Sequence, residues 1–309
     1  MLLSFAPIDL ESATLYAGPC PNIPFPEILD HLNALFRGVL EPFRFCPVAT
    51  GAAGAFVGSG LFVLVSKNSR PLGLQSLTQS LASPYTQMTF EDAATAVADH
   101  RSHIHITVTH DAPVETGGEP QAKLGVKRAP QADGLFDMKL AVCKLLTQYV
   151  CGRSYPTAIH WRQSNQILRP EQFLSLAATR ALPMPLFLHP SYFTGAWTIA
   201  GRQVIGARAC FAEHFLNCAV IFEETPMPPD WIFVRICEFV EAMRARAGQL
   251  TPDGGIFEAN EAGTIRVRHA GPSDANPAGA LHLTLESCAV HLPPTEARGF
   301  GQRLKRLFQ

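Results

Sequence analysis

A strongly alternating segment at residues 103–109 most constrains how this chain folds. Histidine and threonine alternate there with isoleucine and valine, and a repeat of two residues predicts a β-strand with one polar and one apolar face. His103 and His105 share the polar face, and the apolar side chains point to the opposite face. The segment is therefore predicted to be a half-buried strand with its apolar face in the core.

The order of predicted elements indicates an α+β fold, a mixed and largely antiparallel sheet with helices packed mainly on one face. Helices and strands alternate in the middle of the chain, and hairpin-like pairs lie at both ends. The clearest helix runs from Gly134 to Val150, with one stripe of apolar residues. The first hairpin is predicted from a strand at Leu61–Ser66, a turn at 67–70 and a returning segment at Pro71–Gln75.

The domain organisation follows from length and from the lack of a clear linker. A chain of 309 residues forms either one large domain or two of ordinary size. We predict a single compact unit over residues 1–309, with two closely packed halves that meet near residue 195 as the alternative. The glycine-rich piece from Gly195 to Gly206 is interpreted as a linking segment. Residues 298–309 are predicted to be a basic tail that is frayed and solvated, with docking through an amphipathic turn as the alternative.

Composition excludes several classes of function. The formal net charge of -1 argues against a general nucleic-acid binder, because phosphate affinity depends on an excess of lysine and arginine. Charged residues are only 17% of the chain, so much of the surface is neutral or apolar and suits a protein partner. The longest apolar run, Ala55–Val65, is too short to span a bilayer as a helix and contains two glycines. No membrane span is expected.

The cysteines and the first residues indicate the compartment. The eight cysteines have irregular spacing and form no Cys-x-x-Cys pair, which is typical of buried reduced thiols in a cytosolic protein. The first ten residues have no basic region of the kind found in secretory signals. We therefore expect a soluble cytoplasmic protein.

Histidines are the candidate metal ligands. His103 and His105 on one strand face can offer two imidazoles to one metal ion, although no carboxylate or thiol follows them at a recognised spacing. The competing interpretation is a half-buried strand whose histidines form hydrogen bonds with their neighbours. His189 ends a predicted strand elsewhere in the chain. A third ligand is available from His100, His110, Asp111 or His160.

Catalytic motifs do not emerge from the sequence. The glycine-rich stretch Gly51–Gly60 lacks the Gly-Lys-Ser/Thr ending of a phosphate-binding loop, and no Gly-x-Ser-x-Gly nucleophile elbow occurs. Cys151 lies at the predicted end of a helix, where the helix dipole disfavours a thiolate. We therefore assign no catalytic residue, predict no cofactor and favour a non-enzymatic role.

The order of several loose motifs resembles the bacterial domain-of-unknown-function 4261 family. They span about residues 60–285, and each alone is mostly a core pattern. Two regions fit poorly, namely Gly195–Cys210 and the first fifty residues. The segments that carry the resemblance are Leu61–Leu74, Ser83–Pro84, Asp99–Val108, Leu135–Val150, Ala158–Trp161, Ser164–Leu168, Leu182–Leu188, the helix after Pro228, Gly248–Gly254 and Ile265–His269.

The resemblance implies a cytoplasmic bacterial protein of a family without assigned activity. Genes of such families often lie beside type VI secretion or polymorphic-toxin genes, an association that does not by itself define a mechanism. We therefore expect a non-enzymatic protein-interaction factor, an immunity or accessory protein of a type VI secretion or toxin system. A protein partner is expected and nucleic acid is not. The alternative is a metal-binding protein or metal-dependent enzyme centred on His103 and His105.

Overall fold

In a computed structural model of this protein, the described residues form two β-sheets, each with its own helices. The structure describes residues 9–48, 51–110, 133–179, 182–199, 202–246, 249–260 and 263–286. Over these residues the sheets are mostly antiparallel and helix and strand are similarly abundant, so the predicted α+β class is confirmed. The chain divides into two compact units, and the main boundary between them along the sequence falls at Pro183.

The first unit comprises described residues 9–86 and 90–182. Its seven strands form one sheet in the order β2-β3-β4-β5-β1-β6-β7, and every neighbouring pair is antiparallel. The elements up to the unit boundary are β1 (Leu10–Tyr16), α1 (Phe25–Leu35), β2 (Arg44–Pro47), β3 (Ala53–Gly58), β4 (Leu61–Asn68), α2 (Leu74–Leu81), α3 (Pro84–Thr89), α4 (Ala93–Asp99), β5 (Ser102–Thr109), α5 (Asp133–Ser154), β6 (Ala158–Trp161), β7 (Gln166–Leu168) and α6 (Pro170–Thr179).

The second unit comprises residues 87–89 and the described residues from 183 to 286. Its sheet has the order β11-β12-β13-β10-β9-β8, in which only β10 and β13 run parallel. Its elements are α7 (Met184–Phe187), β8 (His189–Ile199), β9 (Arg202–Cys210), α8 (Glu213–Leu216), β10 (Ala219–Thr225), α9 (Pro229–Ala245), β11 (Ile256–Asn260), β12 (Gly263–Ala270) and β13 (Ala280–Glu286).

Strand β1 lies in the middle of the first sheet, between β5 and β6. Its register places Leu10 opposite Val108 of β5 and Ser12 opposite Trp161 of β6. In the buried interior, the Ser12 and Thr147 hydroxyl groups form a hydrogen bond of 2.6 Å, which joins β1 to α5. The long helix α5 therefore packs on the Ser12 face of the sheet.

The opposite face of the first sheet is covered at one end by α2 and α4. Ala13 and Leu15 of β1 alternate with Ser12 and so point away from α5. They belong to a buried apolar cluster with residues of these two helices, whose members are Ala13, Leu15, Leu77, Phe90, Ala93, Val97, Ala158 and Ile167. Helices thus lie on both faces at this end of the sheet, with the longest helix on the Ser12 face.

In the second unit, α9 packs against one face of the sheet. Two edge-on ring contacts mark this layer, Trp231 against Phe222 of β10 at 5.8 Å and Phe239 against Phe257 of β11 at 5.1 Å. Such edge-to-face pairs add to the free energy gained by burial. The buried residues of α9 are Ile232, Phe233, Ile236, Cys237, Phe239, Val240 and Met243.

Two of the sequence predictions about connections are wrong. The segment Pro71–Gln75 is not a returning strand, because α2 begins within it and β4 pairs with β3 instead. The piece from Gly195 to Gly206 is not a linking segment but lies in the hairpin of β8 and β9. At Gly206 an added Cβ would collide with the ring of Phe193. This position therefore needs glycine so that the Phe193 ring can pack across the hairpin. In the sequence alone, such a glycine looks the same as a glycine in a turn or linker.

Within the described ranges, no helix is long and apolar enough to cross a membrane. The seven cysteines in these ranges are free thiols, of which Cys143, Cys151, Cys218 and Cys237 are buried. The predicted basic tail at 298–309 lies outside the described residues.

The close approach of α1 to β3 predicts the effect of a glycine substitution. At Gly54 an added Cβ would lie 2.8 Å from the ring of Phe25 and 2.9 Å from that of Phe45. We expect Gly54→Ala to lower the free energy of unfolding of the first unit by about 1–3 kcal/mol, because the stacked rings of Phe25 and Phe45 must shift to admit the Cβ. Urea denaturation followed by circular dichroism measures this change.

The matched control is Gly152→Ala in α5, where an added Cβ meets no atom within 4 Å. This variant should be neutral or more stable by up to about 1 kcal/mol, since alanine favours the helix. Equal stability of the two variants would contradict the packing argument for Gly54.

Candidate functional site

The structure places the two predicted metal ligands on one face of β5. His105 lies opposite Ser66 of β4 and Ala13 of β1, and His103 is two residues away on the same strand face. Ala13 in turn lies opposite His160 of β6. His105 and His160 therefore point to the same side of the sheet, separated by one strand or roughly 10 Å of backbone.

His103 and His100 bind the backbone that follows β4. The buried His103 donates a hydrogen bond from Nδ1 to the Arg70 carbonyl oxygen at 2.9 Å, and burial lowers the pKa of this imidazole. The Leu72 amide donates to His100 Nε2 at 2.8 Å, while His100 Nδ1 donates to the Val97 carbonyl oxygen. Both ring nitrogens of His100 are thus occupied, and the two histidines fasten the connection between β4 and α2.

His160 is a buried neutral imidazole. Its Nε2 lies 3.1 Å from the Ser80 hydroxyl, which itself donates to the side-chain oxygen of Asn165. Because a hydroxyl has one proton to donate, His160 Nε2 must carry the proton in its bond with Ser80. Burial lowers the pKa of His160 to about 4. His160 therefore holds α2 against β6 and β7 without a charge at neutral pH.

His105 differs because it pairs with a charged side chain. Its Nε2 donates to Glu11 Oε2 of β1 at 3.2 Å, and Arg162 binds the other oxygen of the same carboxylate. The hydrogen bond from His105 lowers the pKa of Glu11 most, desolvation opposes it, and Arg162 lowers the pKa further, to about 2. The side chains of His105 and Glu11 are 31% and 21% exposed. A fixed carboxylate therefore lies at the surface between two nitrogen donors.

The face of the sheet beside this carboxylate is only partly covered. Leu64 of β4, Thr107 of β5 and Glu11 of β1 stand in one row across three strands, and each is half-buried. By contrast, Val63 and Val65 on the α5 side of β4 are fully buried. We call this surface the open face and define it by Glu11, Val57, Phe62, Leu64, His105, Thr107 and Arg162.

The metal assignment to His103 and His105 stays a prediction. Among the residues that the structure describes, no three histidine, cysteine, aspartate or glutamate side chains are grouped closely enough to hold a metal ion. Asp111 lies outside these residues, and His110 Nδ1 lies 3.0 Å from the buried Lys139 Nζ. His189 belongs to the sheet of the second unit.

Glu11 and Arg162 were missed by the reasoning from sequence. The sequence reasoning did not predict a strand at residues 10–16. In the structure Leu10, Ser12 and Thr14 lie on one face of this strand, and Glu11 and Ala13 lie on the other. Arg162 follows the predicted strand that ends at Trp161 and has no motif around it. No regular alternation of polar and apolar residues marks this strand, because its polar residues lie on both faces. The usual sequence pattern of a half-buried strand is therefore missing.

Comparisons with family models, with curated proteins and with solved structures find no match to this chain. The resemblance to the domain-of-unknown-function 4261 family thus rests on the order of the segments in the sequence. Two of those segments form β4 and β5, the central strands of the open face.

The lowered pKa of Glu11 predicts a pH dependence of stability. The folded state holds this pKa at about 2, below the ordinary value of 4.5, so the carboxylate contributes stability above pH 4.5 that is lost as pH falls toward 2. We expect Glu11→Gln to lower the free energy of unfolding near neutral pH by on the order of 2 kcal/mol. Urea denaturation at a series of pH values measures the difference from wild type.

That difference should shrink steadily below pH 4.5 and vanish near pH 2. Glu91→Gln is the control, because Glu91 is exposed and forms no ion pair with the described residues. A wild-type advantage that stays constant down to acid pH would show that Glu11 acts by shape and not by charge.

Proposed function

We propose that this chain is a non-enzymatic protein-interaction factor whose partner binds the open face. The observation that carries the proposal is the half-buried apolar centre of this face. Phe62 and Leu64 of β4, with Val57 of β3, lie on the side of these strands opposite the core residues Val63 and Val65. Apolar side chains at the centre of a patch are typical of protein interfaces.

Polar groups with fixed positions border this apolar centre. Arg162, 63% exposed, binds one oxygen of Glu11, and His105 binds the other. An interface that combines an apolar centre with a polar rim gains affinity from the centre and orientation from the rim. The Glu11 carboxylate is already held in one geometry, so a partner does not have to order it on binding.

The resemblance of the motif order supports a more specific role. We propose a cytoplasmic immunity or accessory protein of a bacterial type VI secretion or toxin system, whose partner is the product of a neighbouring gene. The segments that carry the resemblance include β4 and β5. The open face would then be the surface that binds this product.

A histidine-centred metal protein is the second candidate. One observation favours it, since a carboxylate that holds one nitrogen of an imidazole orients the other nitrogen toward a metal, and Glu11 holds His105 Nε2 at 3.2 Å. Elemental analysis of untagged protein distinguishes the candidates. A stoichiometric transition metal that is lost on joint His103→Ala and His105→Ala substitution would favour the metal protein over the interaction factor, whereas we expect no such metal.

Substitution at the centre of the open face tests the interaction directly. We expect the chain, co-expressed with the product of each flanking gene, to purify as a stoichiometric complex with one of them. Leu64→Lys should weaken that complex by at least about tenfold, because a charge would be buried at the centre of the interface. Isothermal titration calorimetry of the purified proteins measures the affinity.

Leu74→Lys is the matched control, since Leu74 begins α2 and is exposed. The control should bind as the wild type does, and both variants should keep the wild-type circular dichroism spectrum. Failure of every flanking product to bind, or equal affinity for both variants, would refute the proposal.

A further inference from the structure

Strand β8 forms one edge of the second sheet, with β9 as its neighbour. From His189 to Thr194 it pairs with β9 in an unbroken antiparallel register. Within the part of the chain that the structure describes, the backbone of residues 191–194 forms hydrogen bonds only in this pair with β9. The N–H and C=O groups on the outer side of this stretch are therefore available to another strand.

The other three sheet edges are protected in ways that β8 is not. At β7, the Ile167 amide donates to the Thr86 hydroxyl at 3.3 Å. β2 has only four residues and ends in Pro47, and the pairing of β11 shifts after Ile256. Covering, shortness, proline and irregular pairing are devices that keep an edge from pairing with another chain. Residues 191–194 of β8 have none of them.

Two residues at the ends of this stretch show which backbone groups face outward. Pro190 has no N–H, and a proline within a strand lies where its nitrogen faces the free edge. The Gly195 carbonyl oxygen accepts from the Gln203 side chain of β9 at 3.3 Å and so faces β9. Because backbone groups alternate in direction along an antiparallel strand, those of Tyr192 and Thr194 face the free edge.

Phe193 lies between these two residues, and its side chain is on the opposite face of the sheet from theirs. Its ring packs over Gly206 of β9, where an added Cβ would lie only 2.4 Å from the ring. Phe193 is nevertheless 38% exposed. Tyr192 is fixed on the other face, where its hydroxyl donates to the Pro229 carbonyl oxygen at 2.9 Å. The free edge thus has an exposed and positioned ring at its centre, with outward backbone groups on both sides.

We propose that β8 is a self-association site, at which the β8 strand of a second copy pairs antiparallel about a two-fold axis at Phe193. The two Phe193 residues then lie directly opposite each other. Tyr192 of each copy pairs with Thr194 of the other, and the two residues exchange both of their backbone hydrogen bonds. Strand geometry requires this match, because residues that pair through hydrogen bonds must both face the shared edge. The interface is isologous, with the same stretch on both sides.

A second copy fits this edge better than a single extended segment of another protein. An added segment would leave its own outer edge unpaired, whereas two β8 strands remove both free edges at once. Residues 190–201 contain no charged side chain, so the strand faces its own copy without like-charge repulsion. Opposed residues that share no hydrogen bond come closest, with Cα atoms about 4.5 Å apart, and aromatic pairs stabilise such a position. Each Phe193 ring then covers the exposed part of the other.

The short free stretch sets the expected strength of this contact. A few residues from each copy correspond to the low end of specific interfaces, so we expect a dissociation constant on the order of tens of micromolar. β8 belongs to the second unit and the open face to the first, so this proposal does not rest on the proposed function. Leu64→Lys, which tests the open face, should leave the dimer unchanged.

Sedimentation velocity over a concentration series tests the pairing. The wild type should form a dimer whose fraction rises with concentration. Thr194→Pro should weaken this dimer by at least about tenfold, because it removes an outward N–H while the pair with β9 loses no hydrogen bond. Thr194→Val is the matched control, since it removes the hydroxyl but keeps the amide, and it should dimerise as the wild type does.

Charges at the two-fold axis test the position of the axis without changing the backbone. Phe193→Lys alone, and Phe193→Glu alone, should each weaken self-association by at least about tenfold, because like charges would face each other. An equimolar mixture of these two variants should form a heterodimer, since a cation then faces an anion. Circular dichroism checks that each variant is folded.

Three outcomes would overturn the proposal. The first is a wild type that stays monomeric at several times the expected dissociation constant. The second is a dimer that folded Thr194→Pro leaves as strong as before, which would show that the copies meet elsewhere. The third is a mixture of Phe193→Lys and Phe193→Glu that associates no better than either variant alone.

Discussion

The pairing of β1 with two strands at once is the constraint on which the first unit depends. Its register joins Leu10 to Val108 of β5 and Ser12 to Trp161 of β6, so residues from three distant parts of the sequence meet in one sheet. This pairing brings Glu11 beside His105 and Arg162, and it places Ser12 beneath α5. Without β1, the sheet would be cut into two pieces with unpaired edges, which is costly for buried backbone.

Buried polar groups then specify how α5 sits on β1. Thr147 donates to the Cys143 carbonyl oxygen at 2.7 Å, so its hydroxyl must accept the proton of Ser12. Gln163 donates to the Cys143 sulfur at 3.4 Å, and burial raises the pKa of this thiol to about 12. Cys143 is thus a neutral packing residue, and the network allows one register between helix and strand because any shift would leave a polar group unsatisfied.

The sequence predicted the elements whose patterns are local and missed those that depend on distant partners. The period of two at β5 and the apolar stripe of α5 identified both elements, because each buries one continuous face. β1 was missed, since Ser12 and Thr14 lie on its buried face, where the hydroxyl of Ser12 binds that of Thr147 in α5 and the hydroxyl of Thr14 binds that of Tyr16. β3 was missed for a related reason. Its Gly54 lowers the strand propensity of the sequence, and only the tertiary structure shows that the ring of Phe25 packs over this position and leaves no room for a side chain. Only part of the candidate site could be predicted from the sequence. His105 was identified there, but its charged partners Glu11 and Arg162 come next to it only through the order of the strands in the sheet.

The contrast among the histidines explains how one polar strand face serves two purposes. His103 donates to a backbone carbonyl, and His160 donates to Ser80 with its pKa lowered by burial, so both stabilise the fold as neutral groups. His105 pairs with a carboxylate instead, and its Nδ1 forms no hydrogen bond with the described residues. Because Glu11 is held on one side by His105 and on the other by Arg162, its oxygens keep one position at the surface. For the partner proposed to bind the open face, the apolar centre at Phe62 and Leu64 would supply affinity, and Glu11 with the remaining nitrogen of His105 would supply directional contacts beside it.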